Sequence, residues 1–270
     1  MRQWHLIYDS PMIGARNMAI DEVLLTSVSY NEQLPTLRLY AWNPPCLSLG
    51  YGQRSQDIDK DRLNSLGWDI TRRMTGGKAI LHADELTYSI ALPINHPIAE
   101  GGIIESYRRI SGALLCGLDK LGLQSHADKR ADDVDLKNVG PVCFEMPSHY
   151  EITTQDGRKL IGSAQIRRKH GLLQHGTIPI SGDIARICDV LIYDNEIERE
   201  ESRYFVRERA TTLEEALDKV LDWRTVADAI TSGFENIFGI EFVESPIINQ
   251  YAIQSLVEDN YANPERIFRL

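Results

Sequence analysis

Apolar and polar positions along this chain follow two rhythms. Period-two stretches read as strands and stretches of period 3.6 read as helices. Trp4 to Tyr8 predicts a strand, and Ala15 to Ser29 a helix with Ala19, Val23 and Leu24 among its apolar positions. Thr36 to Trp42 and Cys46 to Tyr51 read as strands separated by the turn Asn43-Pro44-Pro45. Asp57 to Leu66 predicts a short helix stopped by Gly67 at C′. Asp69 to Met74 and Lys78 to Leu92 flank Thr75-Gly76-Gly77, a hairpin signal with glycine where positive φ is needed. A longer helix covers Ile103 to Leu121 and stops at Gly122. Ser125 to Val139 is charged and aperiodic, which predicts a surface loop.

A meander of three strands follows, with turns near Asp156-Gly157 and Lys169-His170-Gly171. Beyond Pro179 the pattern turns helical. Asp183 to Leu191, Thr212 to Leu221 (with Thr212 and Glu215 spaced as a capping box) and Asp222 to Phe238 read as helices, and Ile240 to Val243 as a strand. Repeats, low-complexity linkers and regular βαβ periodicity are all missing. The expected fold is therefore α+β, a single domain over residues 1–270, rather than a doubly wound sheet.

Composition narrows the function classes. An apolar fraction of 43% supports a sizeable core. No apolar run approaches the roughly 18 residues of a membrane span. The start MRQWHLIYDS lacks the features of a signal peptide, so a cytoplasmic location is expected. Cys46, Cys116, Cys143 and Cys188 are widely spaced and never form CxxC, which leaves zinc, redox and disulfide readings without support. Cys116 and Cys188 sit in apolar runs and read as buried helical thiols, with Cys46 as core. Cys143 differs, because Gly140-Pro141 and Pro147 hold it in a loop. The net charge of −10 argues against a general nucleic-acid binder. Two basic groups, Arg72 with Arg73 and Lys78, and Arg167 with Arg168 and Lys169, read either as solvated turn cations or as docking points for an acidic partner.

The glycine segment Arg72 to His82 is not a phosphate loop. Arg72 stands where that motif needs glycine, and Ala79 where it needs Ser or Thr. It is either a plain hairpin or a turn whose backbone admits a ligand closely. In the meander, a turn at Asp156-Gly157 makes Lys159 the opening residue of the second strand. Alternation then places Lys159, Ile161, Ser163 and Gln165 on one face and Leu160, Gly162, Ala164 and Ile166 on the other. The small residues leave room for a ligand, and His175, Gly176 and Thr177 add polar groups. A buried lysine has no structural benefit by itself, because desolvating its charge is costly. His82 and His175 read either as site groups or as satisfied structural histidines, and His149 as a base or a rim residue.

The segments ARNMAIDEVLL, RRMTGGKAILHADELTY, CFEMPSHYEITTQDGRKLIGSAQIRRK and LLQHGTIPI resemble, in order, the lipoate–protein ligase and octanoyltransferase superfamily, over about Trp4 to Ile180. The resemblance implies a biotin/lipoate protein ligase catalytic fold of class II synthetase-like type, with its core at about residues 31–245, a mixed sheet and an acyl tunnel. The cysteine in CFEMPSHYE looks like the nucleophile of the octanoyltransferases that act from acyl carrier protein onto glycine cleavage H protein. By that resemblance Cys143 and Lys159 are the catalytic pair. Arg72, Gly76, Gly77 and His82 line the acyl site, with Ser163, Ala164, His175, Gly176 and Thr177 opposite.

Acyl carrier protein is then the donor and glycine cleavage H protein or another lipoyl domain the acceptor, with no nucleic acid and no membrane involved. No cofactor or metal is expected. ATP and Mg enter only if the chain is instead an ATP-dependent lipoate ligase, and a third reading is an amidotransferase between lipoyl-bearing proteins. A free thiol titrates near about 8.5, and the Lys159 ammonium beside Cys143 is expected to stabilise its thiolate. One condition follows. A strand rises about 3.3 Å per residue, so the loop Asn138 to Pro147 must fold back for Cys143 to meet Lys159.

Overall fold

The computed structural model describes residues 2–128, 151–244 and 246–269. In chain order its strands are β1 (Arg2–Tyr8), β2 (Thr36–Tyr40), β3 (Cys46–Leu49), β4 (Asp69–Arg72), β5 (Ile80–His82), β6 (Glu85–Pro93), β7 (Ser125–Asp128), β8 (Glu151–Thr154), β9 (Lys159–Arg167), β10 (Gly171–Pro179) and β11 (Ile240–Val243). The helices are α1 (Gly14–Ser29), α2 (Lys60–Ser65), α3 (Ile103–Lys120), α4 (Glu196–Arg209), α5 (Leu213–Leu217), α6 (Trp223–Phe238), α7 (Gln250–Leu256) and α8 (Pro264–Ile267). Eight strands form one mixed sheet in the order β11-β1-β2-β6-β10-β9-β8-β7, and β4-β3-β5 form a second, smaller sheet. Among the described residues only β1 pairs in parallel within the large sheet, with β2 and β11. This is the expected α+β class with a mixed sheet.

Strand alternation gives the large sheet two faces. Leu86, Tyr88, Ile90 and Leu92 of β6 point to a core shared with Leu114 of α3 and Ile230 and Phe234 of α6. Those two helices touch through backbone. A Cβ on Gly233 would stand 2.3 Å from the Ala113 carbonyl oxygen, so the crossing requires glycine. On the other face Ala91 and Leu173 meet α1, whose apolar residues run almost all round because α7 covers its far side. The first residue preceding α1, Ile13, offers no side-chain cap. Asp69 of β4 supplies one instead, accepting from the Gly14 N–H at 2.7 Å.

The α1 face also buries charge. Arg38 of β2 donates to Asp9 at 2.6 Å, to Asp21 at 2.8 Å and to the Asn17 side chain at 2.8 Å, and its guanidinium lies 3.9 Å from the Tyr40 ring centroid. Such a cluster is costly to break on one side only. Arg38→Met is expected to lower stability by about 3–5 kcal/mol, since it strands the buried Asp21 carboxylate. Urea unfolding of both proteins measures this, and a midpoint within error of the unaltered chain would refute it.

Several expectations need correction. Thr75-Gly76-Gly77 does not close a hairpin: β4 and β5 never pair with each other, because β3 lies between them, parallel to β4 and antiparallel to β5. The apparent strand Lys78 to Leu92 is two strands in different sheets, split at Asp84, which adopts φ +49°. Local pattern does not show such a change of sheet. Ser125 to Asp128 pairs with β8 as an edge strand rather than forming a loop. The rest of that expected loop lies outside the described residues. The stretch Ile184–Val190 is a 3-10 helix, and Cys116 is partly exposed. Among the described residues no helix is long and apolar enough to cross a membrane.

Candidate active site

Lys159 opens β9 as expected, after a turn in which Gly157 takes φ +85°. Its face is not the expected one. Ile152 pairs with Ile161 but Thr153 pairs with Lys159, so an extra β9 residue is inserted at that point. Such a bulge shifts side-chain alternation by one position. Lys159 consequently lies over Gly162, where a Cβ would come within 3.2 Å of its Cε, rather than beside Ser163. Its Nζ donates to Glu151 Oε1 at 2.6 Å, and both residues are buried, each about 2% exposed. A buried ammonium is thus matched by a buried carboxylate. Glu151 is the first residue of β8, so Lys159 points back to the strand end nearest Cys143 in sequence.

Across the strand, Gly162 pairs with Thr177 and Ala164 with His175. These residues face α1 and the small sheet. Thr177 Oγ1 donates to Glu85, which also accepts from Thr87 Oγ1. The other Glu85 contact is His82 Nδ1 at 2.8 Å, while His82 Nε2 lies 2.8 Å from Ser48 Oγ. Trp42 stacks on His82 with ring centroids 4.0 Å apart. His175 bridges two elements, with Nε2 at 2.7 Å from Thr75 Oγ1 and Nδ1 at 3.2 Å from Asp21 Oδ2. Burial alone would raise the Asp21 carboxyl, but the hydrogen bond of His175 and the charge of Arg38 hold it below the usual range. Burial depresses His175, against the opposing pull of Asp21, which leaves a neutral ring.

The glycine turn is held tightly. Arg73 donates to Gly76 O at 2.9 Å and Lys78 O at 2.7 Å, and Gly77 adopts φ +93°. A Cβ on Gly50 would sit 1.9 Å from Gly77 O, so the two backbones are in contact. Gly76 borders open space. Arg72 points the other way. It donates to the carbonyls of Gly50 and Gln53 at 2.7 Å each and of Ile267 at 2.5 Å, tying the chain's last helix to the small sheet.

The remaining expected contacts divide between the two faces. Ser163 and Gly176 look toward α3. Ser163 Oγ is 2.7 Å from the Tyr88 hydroxyl, whose pKa burial pushes up to about 12, and a Cβ on Gly176 would meet Ser163 Oγ at 2.6 Å. Lys159, Ala164, His175, Thr177, His82 and the glycine turn therefore share one side of the sheet, and Ser163 and Gly176 the other. Arg167 donates to the Ala99 and Gly101 carbonyls at 2.7 and 3.0 Å, and Arg168 pairs with Glu22 at 2.6 Å. Neither is simply a solvated cation at a turn.

A cleft of about 610 Å³ opens at the Lys159 end of the sheet, walled by Tyr8, Trp42, Glu85, Ile180 and Trp223. Cys46 is buried in β3, and burial with the nearby Asp69 and Glu85 pushes its thiol well up, so it is suited to packing and not to attack. Cys143 and His149 lie outside the described residues. Among the described residues no cluster of three or more His, Cys, Asp or Glu is placed to hold a metal ion. Asp21, Glu85, Glu151 and Thr75 were not singled out from the sequence. The available signal was a carboxylate inside an apolar run, as in AIDEVLL and YEI.

Similarity to known proteins gives the chain its family and its fold. Residues 14–235 match the family model described as "Lipoyl protein ligase A/B catalytic domain". Octanoyltransferase LipM of Carboxydothermus hydrogenoformans is 38% identical over 272 aligned positions, covering 100% of both chains. Octanoyltransferase LipM of Clostridioides difficile is 36% identical, covering 98% of each. Among solved structures, a bi-partite lipoate protein ligase from Thermoplasma acidophilum superposes with a TM-score of 0.82 at 23% identity, over 99% of this chain and 97% of that one. Lipoate-protein ligase A bound with ATP gives 0.80, also at 23%, over 100% of each. At that identity the two structures establish the fold.

Proposed function

This chain belongs to the lipoyl protein ligase A/B catalytic domain family and is an acyltransferase, and we propose that it moves octanoyl from octanoyl-acyl carrier protein to a lysine of glycine cleavage H protein or another lipoyl domain, through a thioester on Cys143. The observation that carries the reading is the end-to-end similarity to octanoyltransferases. The buried Lys159–Glu151 pair gives it a chemical centre.

In the first step the Cys143 thiolate attacks the donor carbonyl. A new C–S bond forms, the donor's C–S bond breaks, and the carrier leaves as a thiol once it takes up a proton. In the second step the acceptor's neutral amine attacks the acyl-enzyme. An amide C–N bond forms, the amine loses its proton, and Cys143 is released. The Lys159 ammonium would stabilise the thiolate and the oxyanion that develops in each step. A thioester is already activated, so the reading requires neither ATP nor metal. Glu151 is eight residues after Cys143 and 2.6 Å from Lys159 Nζ. A span of that length reaches at most about 29 Å when extended, so the condition posed by the loop is a short one.

Intact mass spectrometry tests the reading. Octanoyl-carrier protein alone is expected to add one octanoyl mass to Cys143, and subsequent acceptor is expected to remove it. Product formed from free octanoate or lipoate only with ATP, with no adduct on Cys143, would favour a ligase and overturn the proposal. Preference for an octanoylated or lipoylated protein as donor would favour an amidotransferase.

A further inference from the structure

Thr75, His175 and Asp21 come from three separate elements: the glycine turn, β10 and α1. They form one line of contacts, 2.7 Å from Thr75 Oγ1 to His175 Nε2 and 3.2 Å from His175 Nδ1 to Asp21 Oδ2. All three residues are buried. Asp21 is fixed in turn, because Arg38 NH1 donates to Oδ1 at 2.8 Å and the Tyr40 hydroxyl donates to Oδ2 at 3.1 Å. An ionised carboxylate only accepts, so Nδ1 of His175 must carry the ring hydrogen. A neutral ring then has Nε2 as acceptor, and the Thr75 hydroxyl must donate to it. The Thr75 carbonyl is also occupied, accepting from the Tyr51 N–H at 2.8 Å. The first residue of the turn is therefore pinned from both its side chain and its backbone.

We propose that Asp21 is a positioning residue for the acyl site: it sets the tautomer of His175, which aims the Thr75 hydroxyl and holds the Thr75-Gly76-Gly77 turn against the large sheet. Gly76 borders open space and Gly77 backs onto Gly50, so the shape of this turn decides which backbone groups border that space. This inference rests on the acyl-transfer reading for its consequence in rate, but not for the tautomer itself.

The experiment combines nitrogen-15 NMR of histidine-labelled protein with donor kinetics. The full chain is expected to show His175 protonated at Nδ1 alone, and Asp21→Asn, which can donate to Nδ1, to move the hydrogen to Nε2. Thr75→Val is expected to raise KM for octanoyl-carrier protein by up to about tenfold, the scale of one hydrogen bond, with a smaller change in kcat. Thr75→Ser should recover most of that loss. A His175 protonated at Nε2 in the unaltered chain overturns the proposal, as does Thr75→Val with an unchanged KM. Should Asp21→Asn fail to fold, the Thr75 variants and the spectrum of the unaltered chain still decide the matter. Failure of the octanoyltransferase reading would show separately, as an unaltered chain that takes no octanoyl from the carrier protein while its His175 spectrum is as expected.

Discussion

Cys143→Ala is expected to abolish octanoyl transfer, lowering kcat/KM by about three orders of magnitude or more, as removal of a nucleophile does in covalent catalysis. The reason is that the remaining groups would have to bring two macromolecular substrates together in one step. Cys143→Ser is expected to be nearly as poor, because a hydroxyl is far weaker than a thiolate as a nucleophile near neutral pH. Both variants should keep the thermal midpoint of the unaltered chain. The check is the mass of the acceptor protein over time, with circular dichroism as control. Transfer by Cys143→Ala at an unaltered rate would exclude the thioester mechanism whatever the family.

Lys159→Met should cost about 10²–10⁴ in kcat, the usual contribution of a positioned proton-transferring or charge-stabilising side chain. Stability complicates this variant. It removes the cation 2.6 Å from a buried carboxylate, and breaking one side of a buried pair costs about 3–5 kcal/mol. The double variant Lys159→Met/Glu151→Gln separates the two effects. Its unfolding midpoint is expected to return most of the way to that of the unaltered chain, while its transfer rate stays low. If the double variant regains activity, Lys159 is structural and the chemistry lies elsewhere.

Element by element, what was legible depended on whether the information was local. Gly67 and Gly122 ended helices as read, with φ +66° and +89°, because a C′ position constrains one residue. The strand order and turns of the meander β8–β9–β10 were read correctly because turn chemistry is local to a few residues. The glycine turn was misread as a hairpin because the partner of β4 and β5 is β3, more than twenty positions upstream of either, and no pattern within the turn encodes that. The face of Lys159 was misassigned because one inserted residue at a bulge reverses alternation, and the insertion is defined only by the pairing with β8. The buried carboxylates at Asp21, Glu85 and Glu151 escaped notice since an acid reads locally as a surface position, whatever partners the fold later brings to it.

By itself the sequence determined the α+β class, a lysine that opens a strand after a glycine turn, and the family through motifs kept in order. These are properties of residue type and spacing along the chain. Only the tertiary structure decided which side of the sheet brings Lys159, His175 and the glycine turn together. It joined Thr75, His175 and Asp21 across three elements, and it matched Lys159 to Glu151 rather than to solvent. The physical reason is that a buried charge or hydroxyl is tolerable only with its partners in place, and those partners come from strands and helices that meet in space without being neighbours in sequence.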